Sequence, residues 1–240
     1  MKDIKHLLAQ LKSKRVLVVF PHPDDEVFMA GGLIQRIKDL GFKVEVICLT
    51  QGGRGKNYKN EWKGRRFKRL RRVEFELAMI ELGVEEYWIW DFADGGLKNN
   101  GDWKTRLGKE LMKIKPGLVV SYGPDGVTGH PDHIAVGKWL FETLRSTKTV
   151  LLWPTWPGVL RRFMVHSKSI MQKMKPDYGL TLSKDEEIKK CRAMSAYESQ
   201  IGNWSRWQWW LMKKWLCRYE YFVQGRWEKR YSFKFLRYKL

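Results

Sequence analysis

The sequence predicts an α/β fold with a mainly parallel sheet flanked by helices on both faces. Two observations carry that expectation. Short apolar, β-branched runs alternate with stretches of helical periodicity through the first 153 residues, the pattern of a parallel sheet covered on both faces. Gly or Pro then closes several of the segments, as at Pro21, Gly41, Gly83 and Pro116-Gly117.

The elements follow in order. Residues 3–12 place Ile4, Leu7, Leu8 and Leu11 on one helical face. Residues 15–20 (RVLVVF) are a buried strand, and 26–40 a helix closed by Gly41. Residues 43–50 are the second strand, 65–82 a long helix, 85–91 the third strand and 103–115 the next helix. Residues 118–122 (LVVSY) are the fourth strand. A loop over 123–129 then leads to a helix over 131–145, and 149–153 is the fifth strand. Residues 154–182 read as irregular, with loops or a partial extra strand, and 184–199 as helical. The division expected is a main domain over 1–202 and a basic, Trp-rich, helical C-terminal extension over 203–240.

The 240 residues suit one domain of this class, and 43% hydrophobic residues with 14% aromatics exclude a disordered chain. Three cysteines at 48, 191 and 217 form no CxxC pair, which argues against a disulfide framework and against a thiolate metal site. They suit a cytoplasmic setting. The first fifteen residues lack the apolar core of a signal peptide, and no run approaches the roughly 18 apolar residues of a membrane span.

Two clusters carry the chemistry. The first strand ends in Pro21-His22-Pro23-Asp24-Asp25-Glu26, and the fourth is followed by Gly129-His130-Pro131-Asp132-His133. Both fall beyond the carboxyl ends of strands, where open α/β sheets place their sites. His22, Asp25 and His133 would supply two imidazoles and a carboxylate and leave a fourth position open, as catalytic zinc requires. Other divalent ions suit such a set as well. Asp24 would face the attacking water as general base, and His130 would donate to the oxyanion or the leaving amine. Asp132 would orient a histidine.

These residues resemble the LmbE-like family of N-acetylglucosaminyl-phosphatidylinositol de-N-acetylases and related deacetylases, through PHPDDE at 21–26 and GHPDH at 129–133. Weaker matches are Thr50-Gln51-Gly52, Arg72 with Glu74, Asp94-Gly95, and Lys190, Ala193, Tyr197, Ser199 and Gln200. The resemblance implies a Rossmann-like fold and zinc-dependent removal of acetyl from an N-acetylated amino sugar. It implies the same ligand, base and acid assignments, and an Asp94 that meets a sugar hydroxyl. The sequence departs from the family's pattern at Gly53-Arg54, where an acidic residue is common, and at Thr128, where some members have Tyr. Hydrolysis of another amide, such as a thiol-sugar conjugate or an acylated precursor, is the alternative within enzymes. A non-catalytic lipid- or nucleic-acid-binding protein is the alternative outside them.

Most of the net charge of +20 is local: residues 51–72 hold ten Lys or Arg against one Glu, and residues 203–240 hold ten against two. The first stretch borders the expected site, so Arg54 and Arg72 are candidates for contact with a phosphate-bearing or lipid-linked substrate. In the second, Trp207, Trp210, Leu211 and Trp215 form a helical stripe. It is expected to pack on the core, with a peripheral role at an anionic membrane surface as the functional alternative. Nucleic acid is disfavoured, because no nucleic-acid-binding motif accompanies the stretch.

Overall fold

A computed structural model describes residues 1–156 and 175–225. Its elements in chain order begin with β1 (Lys2–Asp3), α1 (Ile4–Leu8), β2 (Arg15–Phe20), α2 (Asp25–Asp39), β3 (Lys43–Thr50), α3 (Gly64–Glu81) and β4 (Glu86–Phe92). There follow α4 (Asp102–Ile114), β5 (Leu118–Val120), α5 (Pro131–Leu144), β6 (Val150–Thr155) and β7 (Tyr178–Thr181). The last are α6 (Lys184–Ala196), α7 (Glu198–Ile201), α8 (Arg206–Leu216) and β8 (Tyr219–Gln224).

The strands form one sheet in the order β1-β7-β8-β6-β5-β2-β3-β4. All neighbours run parallel except β8, which is antiparallel to both β6 and β7. Apolar runs such as Val16–Phe20 are buried along their whole length because both faces of the sheet are covered. One face carries α2, α3 and α6, and its core joins Phe75 of α3 with Val16, Val18 and Val46 of the sheet. The other carries α4 and α5, and its core joins Trp103 and Leu140 of those helices with Leu17 and Val19.

Local signals explain the element ends. Ser183 and Glu186 form a reciprocal capping box at the start of α6. Pro131 opens α5, where its missing N–H goes unneeded, and His130 caps it. Asp3 caps α1, which is a single buried turn and a half rather than the ten residues its periodicity predicts.

The close approach of α5 to β5 depends on Gly137. A Cβ built there would lie 2.2 Å from the carbonyl oxygen of Gly123. Gly137→Ala therefore forces the helix off the strand end, and we expect a loss of about 1–3 kcal/mol in urea unfolding.

Part of the stretch read as an extension over 203–240 belongs to the sheet. Tyr219–Gln224 is β8, inserted between β6 and β7. Burial on both faces erases the polar–apolar alternation that would have marked it, and Glu220 sits in the core. Within 154–182, Tyr178–Thr181 is an added strand. Residues 157–174 and 226–240, with His166 and Trp227, lie outside the described residues.

The order β4-β3-β2-β5-β6 shows where the site must fall. From β2 the chain winds outward through β3 to β4, then returns to place β5 on the other side of β2. Strand order reverses between β2 and β5, and a crevice opens at the carboxyl ends of those two strands. The segment after β2 carries His22 and the segment after β5 carries His133.

Candidate metal centre

Three donor atoms meet in that crevice. His22 Nδ1 lies 3.2 Å from His133 Nε2. Asp25 Oδ2 lies 3.5 Å from His22 Nδ1 and 3.4 Å from His133 Nε2. Tetrahedral zinc with ligands at about 2.0–2.2 Å holds its donors about 3.3–3.6 Å apart. The triangle has the size such an ion needs.

The opposite ring nitrogens decide which atoms are free. His22 Nε2 lies 3.2 Å from Asp132 Oδ2 and 3.1 Å from Asp94 Oδ1, so it carries the proton and turns Nδ1 toward the triangle. His133 Nδ1 donates to the carbonyl of Gly126 at 3.1 Å, which turns Nε2 toward the same point. Thr128 Oγ1 touches that Nδ1 at 3.1 Å. Carboxylate or carbonyl partners on the outer nitrogen are what fix metal-ligating imidazoles. Tyr122 adds a third constraint: its hydroxyl donates to Asp25 Oδ1 at 2.6 Å and its ring stacks on His133 at 4.0 Å. His130 also lies near, with its ring 4.7 Å from that of His22.

Charges follow from these contacts. Burial would raise the Asp25 carboxyl, but His133 and His22 hold it well below the usual range. Burial would lower His22, yet hydrogen bonds to Asp132, Asp25 and Asp94 raise it. Burial lowers His130, and the neighbouring His22 and His133 lower it further.

Asp24 stands beside the triangle without joining it. Its backbone sits at φ 101°, a region that side-chain-bearing residues seldom adopt and that clusters at functional sites. Three contacts hold it there. Its N–H donates to Glu26 Oε2 at 3.2 Å, its carbonyl accepts from Phe28 N at 3.0 Å, and Arg71 donates to its carboxylate at 3.1 Å. Burial pushes the Asp24 carboxyl up to about 6 against the pull of Arg71.

The remaining expected residues are placed as follows. Asp132 accepts from the backbone N–H groups of Gly95 (2.7 Å) and Leu97 (3.0 Å), which ties the segment after β4 to α5 and to His22. Asp94 turns one oxygen to His22 at 3.1 Å and the other to the Arg54 amide at 2.7 Å. The Arg54 guanidinium is exposed and lies over Gly95 at the rim. Arg72 does not reach the crevice. It is exposed and pairs with Glu76 at 2.9 Å, while its neighbour Arg71, one helical step round, turns inward to Pro23 and Asp24. Sequence reasoning does not reach Tyr122 or Arg71. A hydroxyl-bearing aromatic at the end of a strand that feeds the second cluster is the available signal for Tyr122.

Glu74 accepts from both the N–H and the hydroxyl of Ser199 at 2.7 Å. The Ser199 carbonyl in turn accepts from Tyr58 N at 2.8 Å, and Gln200 donates to the Lys56 carbonyl at 3.1 Å. These contacts pin the basic segment after β3 against α3 and α7, beside the crevice.

Fold and site together define a doubly wound α/β protein with a two-imidazole, one-carboxylate cradle at its switch point. The chain belongs to the GlcNAc-PI de-N-acetylase (PIG-L) family, whose sequence model matches residues 17–144. It is similar to the probable N-acetyl-alpha-D-glucosaminyl L-malate deacetylase 2 of Bacillus cereus, 34% identical over 130 residues, or 52% of this chain and 58% of that protein. It is also similar to the diacetylchitobiose deacetylase of Thermococcus kodakarensis, 30% identical over 208 residues, or 81% of this chain and 74% of that protein. The match thus spans little more than half the length of the first relative and about three quarters of the second. Among solved structures, the N,N'-diacetylchitobiose deacetylase of Pyrococcus horikoshii superposes with a TM-score of 0.69 at 23% identity, covering 92% of this chain and 89% of that one. That likeness supports the fold.

Proposed function

We propose that this chain is a metal-dependent hydrolase that removes the N-acetyl group from an N-acetylglucosamine-containing substrate. The observation that carries the reading is the triangle of His22 Nδ1, Asp25 Oδ2 and His133 Nε2, each donor fixed from behind and flanked by Asp24. Zinc is the proposed ion; when bound in such a site it lowers the pKa of water to about 7 and polarises a carbonyl oxygen. Asp24, whose carboxyl stands beside the cradle, supplies none of its donors and is not tied to the back of His22 as Asp94 and Asp132 are, takes the proton of the attacking water. The His130 Nδ1 accepts from the Asp132 amide at 3.2 Å, so Nε2 is the atom left to meet the acyl oxygen or the leaving nitrogen. Asp132 and Asp94 keep the His22 ring oriented. Water adds to the amide carbon, the carbon–nitrogen bond breaks, acetate leaves, and the proton held by Asp24 ends on the amine.

The substrate reading draws on the deacetylases of N-acetylated sugars that the chain resembles. The basic rim, with Arg54 over Gly95 and the pinned segment after β3, supports a substrate that bears an anionic or lipid-linked group. The three free cysteines, Cys48, Cys191 and Cys217, support a cytoplasmic setting. The test is amine release from a panel of N-acetylglucosamine, N,N'-diacetylchitobiose, GlcNAc-malate, GlcNAc-phosphate and GlcNAc-phosphatidylinositol. Turnover of at least one, with the anionic members favoured, is expected. No turnover of any by metal-loaded protein, with hydrolysis of a non-sugar amide instead, would overturn the substrate reading.

A further inference from the structure

The Trp stripe of α8 is not packed on the core. Trp207 is 65% exposed, Trp210 56% and Trp215 42%. Residues on a helix advance by about 100° each. Trp207, Trp210, Leu211, Lys214 and Trp215 therefore share the outward face, while Leu216 faces inward and is buried. A Ser205–Gln208 capping box fixes the start of the helix. Trp204 anchors it, with its ring against Trp209 at 5.5 Å and Phe28 at 6.0 Å.

The charge on this segment has one sign. From Asn203 to Tyr219 the chain has Arg206, Lys213, Lys214 and Arg218 and no acidic residue. Lys213 and Lys214 lie over the rings of Trp209 and Trp210, at 5.3 and 4.9 Å. Arg218 reaches Glu187 at 3.6 Å. Among the described residues no carboxylate pairs with Arg206, Lys213 or Lys214.

We infer that the outward face of α8 is a docking surface for an anionic lipid bilayer. Amphipathic tryptophans beside lysines suit the headgroup boundary, where the rings bury apolar area and the cations meet lipid phosphate. No helix among the described residues is long and apolar enough to cross a membrane, so contact through α8 is contact along the surface. Two other occupants fit less well. A second copy placed by a two-fold axis would bring Lys213 and Lys214 against their own kind. A single-stranded nucleic acid needs a groove that tracks its backbone, and this face is the outer side of a single helix.

The position also serves the site. Phe28, which Trp204 contacts, lies in the first turn of α2, three residues after Asp25. Trp215 and Tyr219 line a small cavity with Phe28, Thr155 and Trp156, at the carboxyl end of β6. These contacts seat the base of α8 beside the helix that opens at Asp25. Docking stands apart from the deacetylase reading and does not need it.

The experiment is co-sedimentation of the full chain with vesicles of phosphatidylcholine alone or mixed with phosphatidylglycerol. Strong binding to the anionic vesicles that weakens with salt is expected. The variant Trp207→Ser/Trp210→Ser should bind at least about tenfold more weakly with its melting temperature unchanged, because these are the two most exposed rings of the stripe. Lys213→Glu/Lys214→Glu should show a similar loss. The proposal is overturned if the wild-type chain ignores both vesicles, if it binds neutral vesicles equally well, or if both variants bind like wild type. It is equally overturned if the variants lose binding to a single-stranded oligonucleotide while vesicle binding is untouched.

Discussion

Asp24→Asn lowers amine release by about 10²–10⁴-fold and leaves the metal content of the protein unchanged. The separation of the two effects follows from geometry. The three cradle donors belong to His22, Asp25 and His133, and Asp24 supplies none of them. Asparagine keeps the shape of the side chain, tolerates unusual backbone angles better than most residues, and still accepts from Arg71. It cannot take a proton from water. The loss should fall on kcat with little change in KM, because the group acts on the reacting water and not on substrate binding. Asp25→Asn, one residue on, should lose metal and activity together. Full activity in Asp24→Asn would remove it from the role of base.

Lys190→Met destabilises the fold by about 3–5 kcal/mol, read as a lower urea midpoint with an unchanged slope. Lys190 and Glu220 form an ion pair whose side chains are 0% and 2% exposed. The carboxylate of Glu220 also accepts from the backbone N–H groups of Gly32 and Leu33, at 2.7 and 2.8 Å. Lys190 reaches the Phe28 carbonyl at 3.4 Å. The pair therefore joins α6, β8 and the middle of α2, the helix whose first residue is Asp25. Removing the ammonium leaves a buried carboxylate with only two backbone partners. Adding Glu220→Gln removes that charge, so the double variant should lose less than the two single losses combined. A single-variant loss below about 1 kcal/mol would show that water reaches the pair and compensates it.

The candidate metal centre is legible in the sequence because its signals are local. His22 and Asp25 lie three residues apart at one strand end, and His130, Asp132 and His133 lie within four residues at another. Strand–helix alternation brings two such ends to one edge of a sheet without any need to know the register. Tyr122 and Arg71 stay hidden because their roles depend on direction. Arg71 and Arg72 differ by one helical step of about 100°, and only packing against Pro23 and Asp24 decides which one turns inward. The resemblance assigns Asp94 a sugar contact, and the fold in addition brings its carboxylate onto His22, a contact that local spacing does not show. Strand β8 is hidden for another reason. Its sequence YEYFVQ shows no clean alternation because both faces are covered, and Glu220 reads as a surface residue until Lys190 is known to lie opposite. The Trp stripe shows the limit of periodicity itself. Spacing identifies an apolar face on α8, but only the three-dimensional fold tells whether anything lies over it, and here the rings stand in solvent.

Metal analysis of wild-type protein and His22→Ala, paired with amine release before and after chelation, tests the metal-dependent hydrolase reading most directly. One ion per wild-type chain is expected, lost in His22→Ala, with activity abolished by chelation and restored by added zinc. A chain that holds no stoichiometric ion, or that hydrolyses its substrate at full rate after chelation, would contradict it.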